Sequence, residues 1–372
     1  MHRLRFPDAV RFYLFPGRPV LYHSIIPPDA AIPRRTLSES AVPNPDKIRL
    51  VKDHNRSSIV FSIARSGGRI YTGTSDFKVL GGELTDAKFE PKELYAHDSY
   101  VTSVVAAGDL LISGSYDCSL IWFDTKTNAR VRKIDGAHAK WIRHLALSPD
   151  GKKLASVGDD MVCRVWDVAT GKKLLELRGH EEKTPTHYLS MLYAVAWSAD
   201  GKRIATGDKV GHIVVWDSET GASVGTMETP VMYTWDPTAR RHSIGGIRSL
   251  AFSPDGKLLA VVALGWRGNI DHLEGNARVE IMNVADGTRY HEFPDSKFKG
   301  LVNDLKFHPS GDWLVGVGGA GDGCILFFDV KGKKLIRAEK AGVHLHALLL
   351  DDTGDTLWTA GHNRVSMYSL KG

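Results

Sequence analysis

The sequence predicts an all-β protein assembled from seven copies of one four-strand unit. Three observations carry that expectation: a composition rich in turn formers and aromatics, a strand-turn-strand pattern that recurs from residue 47 onward, and a spacing between copies in the low forties. Of the 372 residues, 42% are hydrophobic and 24% charged, the balance of a folded chain rather than a disordered one. Thirty-seven glycines, with 9 Trp, 11 Tyr and 13 Phe, suit many turns between short aromatic-bearing strands. Uncharged apolar runs, such as Ala347 to Leu350, have strand length and fall far short of the roughly 18 residues of a membrane-spanning helix.

The first segment stands apart. Eight of the sixteen prolines, six arginines, no lysine and three acids fall within the first 45 residues, where no apolar periodicity persists. Residues 1–46 are therefore expected to form an extended arm, and 47–372 the repeated fold. The arm lacks the continuous apolar core of a secretory signal. Of the formal charge of +5 the first 45 residues hold +3, so the remainder is too nearly neutral for a general nucleic-acid footprint. Cys118, Cys163 and Cys324 are odd in number and far apart, which writes neither a disulfide framework nor a metal clip and suits a reducing, cytoplasmic setting. No cofactor and no metal are expected.

The clearest copy runs from Gly136 to Leu177, "GAHAKWIRHLALSPDGKKLASVGDDMVCRVWDVATGKKLLEL". The next gives "AVAWSADGKRIATGDKVGHIVVWDSETGASVGTM", and later ones include "SLAFSPDGKLLAVVAL", "DLKFHPSGDWLVGVGG" and "ALLLDDTGDTLWTAGHNRVSMYSL". Two upstream copies, beginning near His97 and His54, complete seven. The marker positions Phe123, Trp166, Trp216, Met282, Phe328 and Tyr368 are 43, 50, 66, 46 and 40 apart, a basic period with two stretched intervals.

On these residues the chain from 47 to 372 resembles the WD-repeat family of β-propellers. The resemblance implies a seven-bladed ring and, within a blade, a hydrogen-bonded structural tetrad of His, Ser or Thr, Asp and Trp. His138, Ser156, Asp160 and Trp166 match it; His97, Ser113 and Asp117 match in the preceding unit, with Phe123 in place of Trp. The fourth unit has His180, Thr206 and Trp216 but Val210 where Asp is expected, and the first has Gly82 at the Trp position, so both are expected to rely more on packing.

Local chemistry agrees. Ser148-Pro149-Asp150-Gly151 and its counterparts from Ser198, Ser253 and His308 are turn sequences, with glycine free to take positive φ. A four-stranded sheet cannot bury both faces alone, so the units must pack face to face around an axis. The seventh unit ends one strand short at Gly372, and Lys47 to Asp53 is expected to supply the missing outer strand.

Three insertions interrupt the period: Glu181 to Ser190, Glu228 to Ser243 and Gly265 to Arg278. In the geometry the resemblance implies, all three open on one end of the ring. They carry Tyr188, Met232, Tyr233, Trp235, Arg240, Arg241, Trp266, Arg267 and His272; the approach to the inner strands adds Tyr100, Trp141, Arg143, Tyr193, Arg248 and Asn303 around the same mouth. Aromatics and arginine dominate binding hot spots because they bury much area in fixed geometry.

Catalytic motifs are absent or misplaced. Gly316 to Gly321 satisfies GxGxxG, but β segments flank it where a dinucleotide site needs a helix. Asp351 to Asp355 lacks calcium-loop spacing and occupies the recurrent turn, and Asn55-Arg56-Ser57 is a glycosylation triplet without a secretory signal. The expectation is a non-catalytic, monomeric scaffold binding a protein or peptide partner, as the resemblance implies. Two other readings are an enzyme or small-ligand binder in the axial channel, using Arg143, Tyr193, Arg248, Asp271 and His272, and an RNA- or DNA-binding propeller using the loop arginines.

Overall fold

Strand Arg49–Asn55 pairs antiparallel with Arg364–Ser369, with Arg49 opposite Ser369 and Asn55 opposite Arg364, so the two ends of the fold share one sheet. A computed structural model describes residues 44–83, 89–236, 238, 241–265, 275–293 and 299–371. The arm, save its last three residues, lies outside them. Those three already touch the ring: Asn44 N donates to Leu370 O at 3.1 Å, and Arg337 donates to Asp46 O at 2.7 Å.

Seven four-stranded antiparallel sheets follow one another as the blades of a β-propeller. Their innermost strands are Val60–Ser66, Val101–Ala107, Ile142–Leu147, Leu192–Trp197, Ser249–Phe252, Val302–Phe307 and Leu345–Leu350. The second strand of the third blade, Lys153–Gly158, is buried on both faces after its first residue, whereas the outermost strand of the fourth, Ser223–Glu228, buries only Met227. Apolar content falls outward along each blade because neighbouring blades cover the middle strands and water covers the rim.

The hairpin turns are fixed by side chains. Ser148 Oγ donates to Asp150 at 2.6 Å and accepts from Lys153 N at 2.9 Å; Ser198 with Asp200, and Ser253 with Asp255, repeat both bonds. Gly151 sits at φ +69°, a conformation a side chain would disfavour.

Seven apolar clusters lie one at each junction of adjacent blades. Ala205, Val215 and Met227 of the fourth meet Leu259, Val261 and Met282 of the fifth, and Val60 and Ile70 of the first meet Trp358 and Val365 of the last. The latter junction closes the ring, and each such contact removes apolar surface that a lone sheet would expose.

In the third blade His138 Nδ1 bonds Asp160 at 2.9 Å, its Nε2 bonds Ser156 Oγ at 2.7 Å, and Trp166 Nε1 donates to Ser156 at 2.9 Å. The second blade keeps His97, Ser113 and Asp117; Tyr95, stacked on Phe123, donates its hydroxyl to Ser113 at 3.0 Å in place of the missing indole. The fourth blade corrects the sequence expectation. Asp208, two residues before Val210, bonds His180 Nδ1 at 2.9 Å, so the tetrad with Thr206 and Trp216 is complete. A carboxylate at the end of the second strand reaches the same imidazole that a carboxylate in the following turn reaches in the third blade. At Gly82 of the first blade an added Cβ would lie 2.9 Å from Pro91 Cα; the chain there presses inward, and Phe89 packs edge-on against His54.

Candidate functional site

Six of the seven innermost strands slip register at their second residue, which is Phe61, Thr102, Arg143, Tyr193, Asn303 or His346. A bulge re-aims the side chain of its extra residue. All of these but Thr102 carry a large or strongly polar group, and with Arg248, just before the fifth inner strand, they line an axial cavity of about 390 Å³.

On one side of the mouth is an arc of rings. Trp141 stacks on Tyr116 with centroids 4.4 Å apart and planes 7° apart; Tyr116 adjoins Tyr100 at 5.8 Å, and Tyr100 adjoins both Phe77 and Phe61. Phe61 meets His346, which neighbours His344 and His362. Tyr100, Trp141 and Phe77 remain 42, 48 and 38% exposed, too much for core residues. Burial, then nearby positive groups, lowers the His344 and His346 imidazoles to about 4 and about 3, so both are neutral at pH 7. Asn303 holds His344 from its amide nitrogen at 2.9 Å.

The other side is cationic. Arg143 makes paired bonds to Asp159, Nε to Oδ1 and Nη2 to Oδ2 both at 2.7 Å, and lies over Tyr116, Trp141 and Tyr193. Arg248 lies over the same Tyr193 ring, at 4.2 Å. Lys209 is buried, its ammonium donating to Leu189 O at 3.3 Å, and burial followed by the charge of Arg248 pushes its pKa down. Gly246, at φ +100°, lets the incoming chain pass this close: a Cβ there would stand 2.7 Å from Lys209 Cα and 3.2 Å from Tyr193.

Two insertions meet beside these cations. Glu228 to Ser243 contains a short 3-10 turn, Pro230–Met232, and the strand Tyr233–Asp236, which pairs with His242–Gly245. Thr186 and Tyr233 share a 2.6 Å hydroxyl bond, and Tyr188 donates to Asp236 O at 3.2 Å. Tyr188 and Tyr233 thus spend their hydroxyls on holding the loops together, and Met232 is core between the fourth and fifth blades. Trp235 is 44% exposed and Arg241 is exposed. Arg240, Trp266, Arg267, Asp271 and His272 lie outside the described residues. Phe61, Phe77, Tyr116, His344, His346, Asp159 and Lys209 belong to the mouth but are not singled out by the sequence reading. Reading one column through all seven copies would have found Phe61 and His346.

No group of three or more His, Cys, Asp or Glu able to hold a metal occurs among the described residues, and no helix there is long and apolar enough to cross a membrane. The family profile described as "WD domain, G-beta repeat" matches residues 90–124, 130–167, 171–217, 236–270 and 287–329, together more than half the chain. Nuclear distribution protein PAC1 of Arthroderma otae is 28% identical over 58% of this chain and 49% of its own length. The U3 small nucleolar RNA-associated protein 15 homolog of Xenopus laevis is 26% identical over 67% of this chain and 44% of its own; nuclear distribution protein nudF of Aspergillus niger is 28% identical over 58% and 49%. The chain therefore spans about half the length of these curated relatives. Ring, repeat and profile agree: the chain belongs to the WD-repeat family.

Proposed function

We propose that this protein is a non-catalytic scaffold that docks a protein or peptide partner on the insertion-bearing mouth of its propeller. One observation carries the reading: the bulged inner-strand residues gather at one mouth, where Tyr100 and Trp141 stay exposed, Arg143 lies over Trp141 and Arg248 over Tyr193, and the joined insertions add the exposed Trp235. Rigid sheets that hold exposed rings at fixed positions lower the ordering cost of binding. The arginine that could polarise a substrate is instead locked to Asp159, which suits a positioned contact surface better than chemistry. The names of the relatives speak of nuclear distribution and of association with U3 small nucleolar RNA, and name no reaction. Three unpaired cysteines suit a reducing compartment, and a ring completed by its own chain suits a monomer.

Affinity purification from the native host with wild type and with Trp141→Ala/Trp235→Ala tests the reading. Partners recovered by the wild type should be lost from the variant at unchanged melting temperature. Equal recovery by a folded variant would reject this surface.

A further inference from the structure

Among the described residues, Arg248 and Lys209 are cations with no ion-pair partner; Arg248 Nε is buried with no hydrogen-bond partner, and Lys209 Nζ has a single carbonyl. Asp159, whose charge acts on Lys209, is occupied in both oxygens by Arg143. Along the cavity wall stand Arg65, Arg143, Arg248 and Lys306 against one acid, Asp304, whose oxygens already accept from Ser249 and from the Leu348 and Leu305 amides. Holding unpaired charge away from water is costly, and the fold here keeps a buried Lys209 behind a half-buried Arg248 that lines the open cavity.

We infer that the mouth takes an acidic segment of the partner protein, seating one side-chain oxyanion, carboxylate or phosphate, against Arg248 and Lys209 while a neighbouring apolar side chain covers Tyr116 and Trp141. The inference rests on the docking reading above. Charge complementarity selects the occupant: the described cations supply forked and single donors with free valence, and the ring arc next to them offers apolar area with few acceptors. A basic peptide would meet Arg143, Arg248 and Lys209, and the one acid among the described residues of the cavity wall, Asp304, already has its oxygens occupied.

The test is selection of a random dodecapeptide phage library on the full chain, followed by solution affinities of the enriched peptides for wild type and variants. Enriched peptides should carry Asp or Glu above the library frequency and should lose at least about tenfold affinity for Arg248→Gln/Lys209→Met, with Arg248→Lys intermediate. The double variant sheds buried unpaired charge, so it should melt no lower than the wild type, an outcome that separates a binding role from a structural one. Phosphoserine replacing the selected acid distinguishes the sources: tighter binding marks a phosphorylated segment, weaker binding a carboxylate. Peptides sensitive to Tyr100→Ala/Trp141→Ala but not to the cation variant would overturn the acidic assignment and leave the docking surface standing. Insensitivity to both, or no enrichment, would overturn both. Oligouridylate bound through Arg248 and Lys209 in preference to every selected peptide would overturn the peptide assignment.

Discussion

Arg143 and Asp159 close a two-pronged ion pair across the third blade's share of the mouth, with both bonds at 2.7 Å and both side chains 12% exposed. The pair fixes the guanidinium over Tyr116, Trp141 and Tyr193 and leaves the remaining cations of the rim unneutralised. Asp159→Asn should destabilise the protein by about 3 kcal/mol, because it strands a charge already withdrawn from water. Denaturant titration measures this, and Arg143→Met/Asp159→Leu should recover much of the loss.

The fourth blade's tetrad depends on Asp208. Asp208→Ala leaves His180 Nδ1 unpaired and should cost about 1–3 kcal/mol, whereas Val210→Ala should cost less than Asp208→Ala. Thermal melts of the two variants side by side decide which residue completes the hydrogen-bond chain.

Closure has its own signature. Asp53 accepts from Ser366 Oγ at 2.6 Å and pairs with Arg364 at 3.4 Å. Deletion through Asn55 removes the outer strand of the last blade and bares an edge able to pair with other chains. Light scattering during heating should show aggregation at a lower temperature than in the wild type.

Acid should weaken the fold through the mouth histidines. The His344 and His346 imidazoles titrate at about 4 and about 3 in the fold, against about 6.5 for an unfolded histidine. Below about 6.5 the unfolded chain binds protons that the fold refuses, so this stability is complete above that pH and declines as pH falls toward the folded values. His346→Phe should flatten the dependence of the melting temperature on pH between 6.5 and 4 relative to wild type.

How much of this was legible in the sequence differs by element. The repeats predicted the blades because period and turn chemistry are local, and Ser148, Asp150 and Gly151 form the turn their order implies. The carboxylate of the fourth tetrad was misread because matching by spacing assumes one route to the histidine, and the backbone offers two. At the mouth, Trp141, Arg143, Tyr193 and Arg248 were visible as residue types in the right column. Tyr116 and Asp159 were not, because they reach the site from turns on the far end of the second strands and join it only once the blades stand side by side. Lys209 is a lysine in a turn, unremarkable until its burial is seen.

The central claim, that a partner docks on the mouth, is tested most directly by photo-crosslinking in the native host. Benzoylphenylalanine placed at Tyr100 or Trp235 should capture one and the same protein, and placed at Val131 or Val224, exposed on outermost strands, should not. Capture from Val131 and Val224 with none from Tyr100 and Trp235 would contradict the account.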